Sequence, residues 1–181
     1  AGCDNLTTVT LGGSPTAVPN AMFDGCTALT TIRLPDSVTT IGDSAFRDCT
    51  ALTSIDIPSG VTKIGNYAFQ SSGLTSVVLP DTVTSLGTSV FQDCAALTSA
   101  TVGEGVATIG NYTFGDCTAL AEVTLPAGLK EIGIYAFCGC TALTEVTLPA
   151  TLTEIGNYAF QKSGLTSVSV PGSVTSMGTY V

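Results

Sequence analysis

Seven cysteines are the residues of this sequence most able to do chemistry, and there is no histidine to assist them. A Cys or Ser nucleophile ordinarily needs an imidazole base beside it. Cys138, in Phe137-Cys138-Gly139-Cys140, is a candidate reactive thiol. The plainer expectation is that it substitutes for Arg47 or Gly115 at a tolerant position. The Cys-Gly-Cys pair has neither a second cysteine pair nor a histidine to complete a zinc site. Gly103-Glu104-Gly105 and the scattered aspartates do not match a calcium loop. No glycine-rich phosphate loop follows a strand and opens a helix. No catalytic residue, metal or cofactor is therefore expected.

The other six cysteines (Cys3, Cys26, Cys49, Cys94, Cys117 and Cys140) each lie three residues before a leucine. Those leucines belong to a unit that recurs through the chain. Leu-x-x-Ile/Val-x-Leu/Ile/Val starts at Leu6, Leu29, Leu52, Leu74, Leu97, Leu120, Leu143 and Leu165, in steps of 22 or 23 residues; at Leu97 its second apolar position is Ala100. A fixed period of this length predicts stacked units that bury one continuous core. One solenoid domain is expected over residues 1–181. Stacked turns lie about 4.8 Å apart, so the cysteines should form a buried ladder with poor geometry for bridging.

Within one unit, Leu52, Ile55 and Ile57 alternate with polar residues as a short strand does. Pro58 ends it, lacking a ladder donor. Val61 and Ile64 then predict a second, shorter extended segment, and Gly65 a backbone angle that other residues avoid. Asn66-Tyr67-Ala68-Phe69 is expected to form about one helical turn, capped by Asn66. The phenylalanine of that turn recurs from Phe23 to Phe160 and accounts for every Phe in the chain. Stacked, these rings predict an interior spine. The fold expectation is thus an α/β repeat solenoid. Pro15 and Pro19 fall where Val61 and Gly65 stand in the reference unit, so the second strand of the first unit should be distorted or lost. The chain begins late in a repeat and stops where the next Phe belongs, which suggests an array cut at both ends. Its ends carry no polar cap and could pair with a neighbouring molecule.

Leu-x-x-Ile-x-Leu-Pro, Val-x-x-Ile-Gly and Ala-Phe-x-x-Cys together resemble the BspA-type, or Treponema-type, leucine-rich repeats. The match runs from Cys3 to Gly178. The resemblance implies a right-handed leucine-rich-repeat superhelix with a parallel sheet on its concave side. It also implies a secreted or cell-surface protein that adheres to host or matrix proteins.

Composition narrows the partners. Five Lys+Arg against 14 Asp+Glu give a net charge of -9, which argues against nucleic acid and anionic membranes. No apolar run is long enough to insert in a membrane, and no signal or anchor segment is visible. A protein partner, or a glycan, is left. The outward strand positions are mostly Thr and Ser, which suit a plain scaffold face. The charged exceptions are Arg33 beside Asp56 and Glu122 beside Glu145, two carboxylates that a cationic partner would relieve. The second candidate is a tyrosine column, Tyr112, Tyr135 and Tyr158, on the outer surface. Its rings could recognise protein or sugar, or simply cover one another. A spacer with no ligand of its own is the alternative to an interaction module.

Overall fold

The computed structural model describes residues 2–181. The chain winds as stacked turns, each with three sides. The first side carries β1 (Thr8–Thr10), β3 (Thr31–Arg33), β6 (Ser76–Val78), β8 (Ser99–Thr101) and β10 (Glu122–Thr124). The second carries β2 (Ala17–Val18), β4 (Thr40–Ile41), β5 (Lys63–Ile64), β7 (Ser85–Leu86), β9 (Thr108–Ile109), β11 (Glu131–Ile132), β12 (Glu154–Ile155) and β13 (Ser176–Met177). All pairing is parallel, between residues one repeat apart, such as Val9 with Ile32 and Ile41 with Ile64. The turn after the first strand is closed by the N–H three residues after the proline, as in Val61 donating to Pro58 O at 3.0 Å.

The two sides are not unbroken sheets. The first side pairs as β1-β3 and β6-β8-β10, and the second as β2-β4-β5-β7 and β9-β11-β12-β13. Ser54–Asp56 and Glu145–Thr147 keep their places in the turn without forming strands. The interruptions on the two sides fall at different turns, so no step lacks bonding on both.

The third side is a corner, and it corrects the expected helical turn. No described residue is helical. In a helix every N–H would point along the chain to its own turn. Here alternate N–H groups cross to the next turn: Tyr67 donates to Thr88 O, Phe69 to Val90 O and Ser71 to Gln92 O, all at 2.9 Å. Two residues in the left-handed region, Tyr67 (φ 57°) and Ser71 (φ 55°), turn the backbone so that this is possible. The solenoid is therefore built of strands and turns, without an α component. Asn66 caps nothing in its own turn. Its Oδ1 accepts the Thr88 N–H at 2.9 Å, and Asp43, Asn111 and Asn157 serve the following turn in the same way.

Two further expectations change. Gly65 does not take an unusual φ; a Cβ there would come 2.6 Å from the Asp43 backbone nitrogen. The glycine is required by close approach between turns. The left-handed angle belongs to the next residue but one, where the chain spends tyrosine. The second strand of the first unit is also present, since Ala17 pairs with Thr40 and Val18 with Ile41. Pro15 and Pro19 flank that strand and occupy none of its ladder positions.

The core is columnar. Seven phenylalanines stack from Phe23 to Phe160 with centroids 5.3–5.5 Å apart. Cys26, Cys49, Cys94, Cys117 and Cys140 are buried beside them with free thiols. Each of the last four donates its S–H to the carbonyl of the phenylalanine on the preceding turn, as Cys117 does to Phe91 O at 3.0 Å. In the two 22-residue turns a serine stands in this column. Buried Ser72 meets Cys94 Sγ at 3.3 Å. The residue lost in that turn is taken from the outward segment before the leucine. Gly73 lets the shortened backbone close in, because a Cβ would run into Thr50 O.

Candidate functional site

The tyrosine column sits where the backbone is most constrained. Ala21, Ser44, Tyr67, Ser89, Tyr112, Tyr135, Tyr158 and Tyr180 all occupy the first left-handed position of the corner, with φ between 51° and 59°. A residue with a Cβ is disfavoured there by roughly 1–2 kcal/mol, and the crossing hydrogen bonds hold it in place. Four consecutive turns present tyrosine. Tyr112–Tyr135, Tyr135–Tyr158 and Tyr158–Tyr180 stack at 4.9, 4.7 and 5.2 Å. Both faces of Tyr135 and Tyr158 are covered by neighbouring rings, so what they offer to solvent is ring edge. Tyr112 is 38% exposed, and Ile134 beside the stack is exposed as well. Burial, then the neighbouring Tyr158 and Tyr112, pushes the Tyr135 phenol up from its ordinary value.

The first side carries the charged candidates. Arg33 lies in β3 and is exposed, and so is Asp56. Both line an opening of about 450 Å³ where the pairing stops, together with Thr30 and Ser54. No direct ion pair joins them among the described residues; Arg47 makes the ion pairs seen there. A second opening of about 280 Å³ lies on the other side of Asp56, against Val77 and Val78. Glu122 is exposed in β10, and Glu145 is exposed in the segment that does not pair with it. Elsewhere on this side threonines reach back one turn, as Thr98 Oγ1 donates to Thr75 O at 2.9 Å.

The thiols are poor nucleophiles. Burial pushes Cys49 and Cys140 up to about 12 and Cys94 to about 11, far from the thiolate that reactivity needs. Half-buried Cys138 is raised too, first by burial and then by Asp116, with Lys162 opposing. One polar feature escaped sequence reading. Arg47 grips Asp24 with Nε at 2.7 Å and a second nitrogen at 2.9 Å. Both residues follow a phenylalanine directly, 23 positions apart, and that spacing is the signal that could have paired them.

A family model described as the BspA type leucine rich repeat region, in six copies, matches residues 1–98 and 62–181. The chain belongs to the BspA-type leucine-rich repeat family. Its fold is similar to that of a leucine-rich repeat protein from Bacteroides ovatus, with TM-score 0.94 and 31% identity over 98% of this chain. That comparison covers 46% of the Bacteroides protein, so the chain spans about half its length. The T. pallidum leucine-rich repeat protein matches at TM-score 0.72 and 35% identity, over 78% of this chain and 67% of that one. The pneumococcal vaccine antigen PcpA shares the fold at TM-score 0.57 and 20% identity, over 99% of this chain and 43% of its own. None of the curated proteins matches the chain. Among the described residues of this BspA-type chain, no helix is long and apolar enough to cross a membrane.

Proposed function

We propose that this BspA-type chain is a protein-interaction module, working outside the cell or at its surface in adhesion to a host or matrix protein, and that the tyrosine corner is its contact face. The observation that carries the reading is the ring stack from Tyr112 to Tyr180, half-buried at Tyr135 and Tyr158 and exposed at Tyr112 and Tyr180. Tyrosine is among the residues that anchor protein interfaces. Here the rings hold one another still, so little side-chain freedom remains to be lost on binding. With ring faces taken up by neighbours, the stack suits packing against apolar protein side chains better than the face-on stacking that sugars use. The chain binds rather than catalyses in this reading, in keeping with its lack of histidine and its protonated buried thiols.

The test is binding of the folded chain to a panel of extracellular matrix proteins by interferometry. The Tyr112→Ala/Tyr135→Ala/Tyr158→Ala variant should weaken binding at least tenfold, about 1.4 kcal/mol. Alanine already occupies this backbone position at Ala21, so the variant should fold. The Glu122→Lys/Glu145→Lys variant should leave binding unchanged. The reverse pattern would move the site to the first side, with Arg33 and Asp56 next in line. Failure of the parent chain to bind any of them would favour the spacer.

A further inference from the structure

The tyrosine column has one gap, in the middle of the array. Tyr67 and Tyr112 occupy the same corner position two turns apart, at φ 57° and 56°, and the turn between them carries Ser89 there at φ 55°. The chain itself shows what fills such a place. Tyr135 lies between Tyr112 and Tyr158 with ring centroids 4.9 and 4.7 Å away, inclined by 16° and 6°. Ser89 keeps the backbone of that arrangement and omits the ring. Backbone bonds across both steps set the separation of the two walls: Tyr67 N–H donates to Thr88 O at 2.9 Å and Ser89 N–H to Asn111 O at 2.8 Å.

Two further observations mark the gap as a receptor. Tyr67 and Tyr112 are 42% and 38% exposed, whereas Tyr135 and Tyr158, with rings on both faces, are half-buried. Among the described residues Tyr67 stacks on no ring, and Tyr112 stacks only on Tyr135. Ser89, at the floor, is 5% exposed, and its hydroxyl has no hydrogen-bond partner among the described residues. The other buried hydroxyls are bonded, Ser72 with Cys94 Sγ at 3.3 Å and Thr113 to Gly110 O at 2.8 Å. A hydroxyl left unpaired at that depth is costly, and a ligand that reaches it removes the cost.

We infer that the gap between Tyr67 and Tyr112 receives one tyrosine side chain of the protein partner, whose ring completes the stack and whose hydroxyl meets Ser89 Oγ. The inference rests on the tyrosine corner being the contact face, and it names what the partner brings to that face. Aromatic rings stack with centroids about 4.5–7 Å apart, and two steps of the column leave room for one ring at that spacing on each side. The incoming ring enters tip first, so its phenol oxygen arrives at the floor. A phenylalanine would fill the same space and leave Ser89 unpaired. Aromatic anchors seated in pockets dominate the energetics of protein interfaces, and walls already fixed by the backbone lose little freedom on binding.

p-Cresol, the tyrosine side chain as a free molecule, tests this when titrated into the folded chain and followed by NMR of the ring protons. It should shift the signals of Tyr67 and Tyr112 and spare those of Tyr158. Toluene, the same ring without the hydroxyl, should bind several-fold more weakly, and methyl galactoside should give no shift. Ser89→Tyr fills the gap with the chain's own ring. It should weaken p-cresol binding at least tenfold, and likewise the binding of any matrix protein that the parent chain holds. If Ser89→Tyr loses its cooperative melt, Tyr67→Ala removes one wall and should give the same losses. Shifts centred on Tyr158, no shifts at all, equal binding of the glycoside, or p-cresol binding unchanged in Ser89→Tyr would each overturn the inference. If Ser89→Tyr holds the matrix protein as well as the parent does, while the Tyr112/Tyr135/Tyr158 variant does not, the gap is overturned and the contact face stands. p-Cresol seated in the gap of a chain that binds no matrix protein would support the gap and count against the adhesive reading.

Discussion

At the corner, the steps from Ala21 to Tyr158 carry backbone hydrogen bonds of 2.7–3.0 Å to the next turn. The first side loses its pairing at Ser54–Asp56 and again after β10. Both regions come from the same repeat. The difference lies in what stands behind the backbone. At the corner two left-handed residues aim alternate N–H groups along the stack, and the phenylalanine and cysteine columns hold the spacing from inside. On the first side the strand is at most three residues long, and its outward side chains are mostly Thr and Ser. Ile55 and Ile57 beneath the gap are only partly buried. The corner, made of turns, is thus the continuous element, and the side made of strands the interrupted one.

Three measurements can break or sharpen that contrast. The largest effect is expected from Phe91→Ala, which opens a cavity in the spine and should cost about 3–5 kcal/mol. Ile55→Ala, at a half-buried position, should cost only about 1–2 kcal/mol. Chemical denaturation giving equal losses would refute the idea that the corner carries the stack. Next comes Gly65→Ala, whose Cβ presses on the Asp43 backbone and should cost about 1–3 kcal/mol. Gly128→Ala has its nearest neighbour at 3.9 Å and should stay within about 0.5 kcal/mol. The smallest effect per residue is a pH dependence. Burial raises the thiols of Cys49, Cys94 and Cys140 above their ordinary 9.0. The unfolded chain therefore loses those protons first, and stability falls as pH rises through 9 toward 11. Melting temperature should hold up to about pH 8 and then fall, with about 1 kcal/mol lost per buried thiol by pH 10 and roughly 2–4 °C per kcal/mol. Serine at Cys49, Cys94 and Cys140 should flatten that decline.

What could be read in the sequence was whatever a column shows by itself. Leu29, Leu52 and Leu74 mark the strand phase, Phe46 and Phe69 mark the spine, and all are fully buried. What could not be read was the direction of a hydrogen bond. Asn66-Tyr67-Ala68-Phe69 has the composition of a capped helical turn, and nothing along the chain says that its N–H groups leave for the next turn. The same blindness hid the role of Gly65. Glycine signals either an unusual φ or a crowded neighbour, and here the neighbour is 22 residues away in sequence. Tyr67 gave no sign of its left-handed angle because tyrosine rarely adopts one. Arg33, Asp56, Glu122 and Glu145 are exposed, as period two predicts for outward strand positions. Whether the turns that carry them pair as strands depends on where the sheet breaks, which no local pattern shows.

The two short turns have a practical consequence. Between the buried cysteine or serine and the next leucine, the chain drops a residue at Gly73 and at Gly164, and every column beyond stays in line. Each turn therefore has a seam at which its length is decoupled from its register. An insertion placed at Thr50-Ala51 or Thr141-Ala142 would lengthen the rim without shifting Leu52 or Leu143. Foreign loops could be displayed there on one rim, four turns apart.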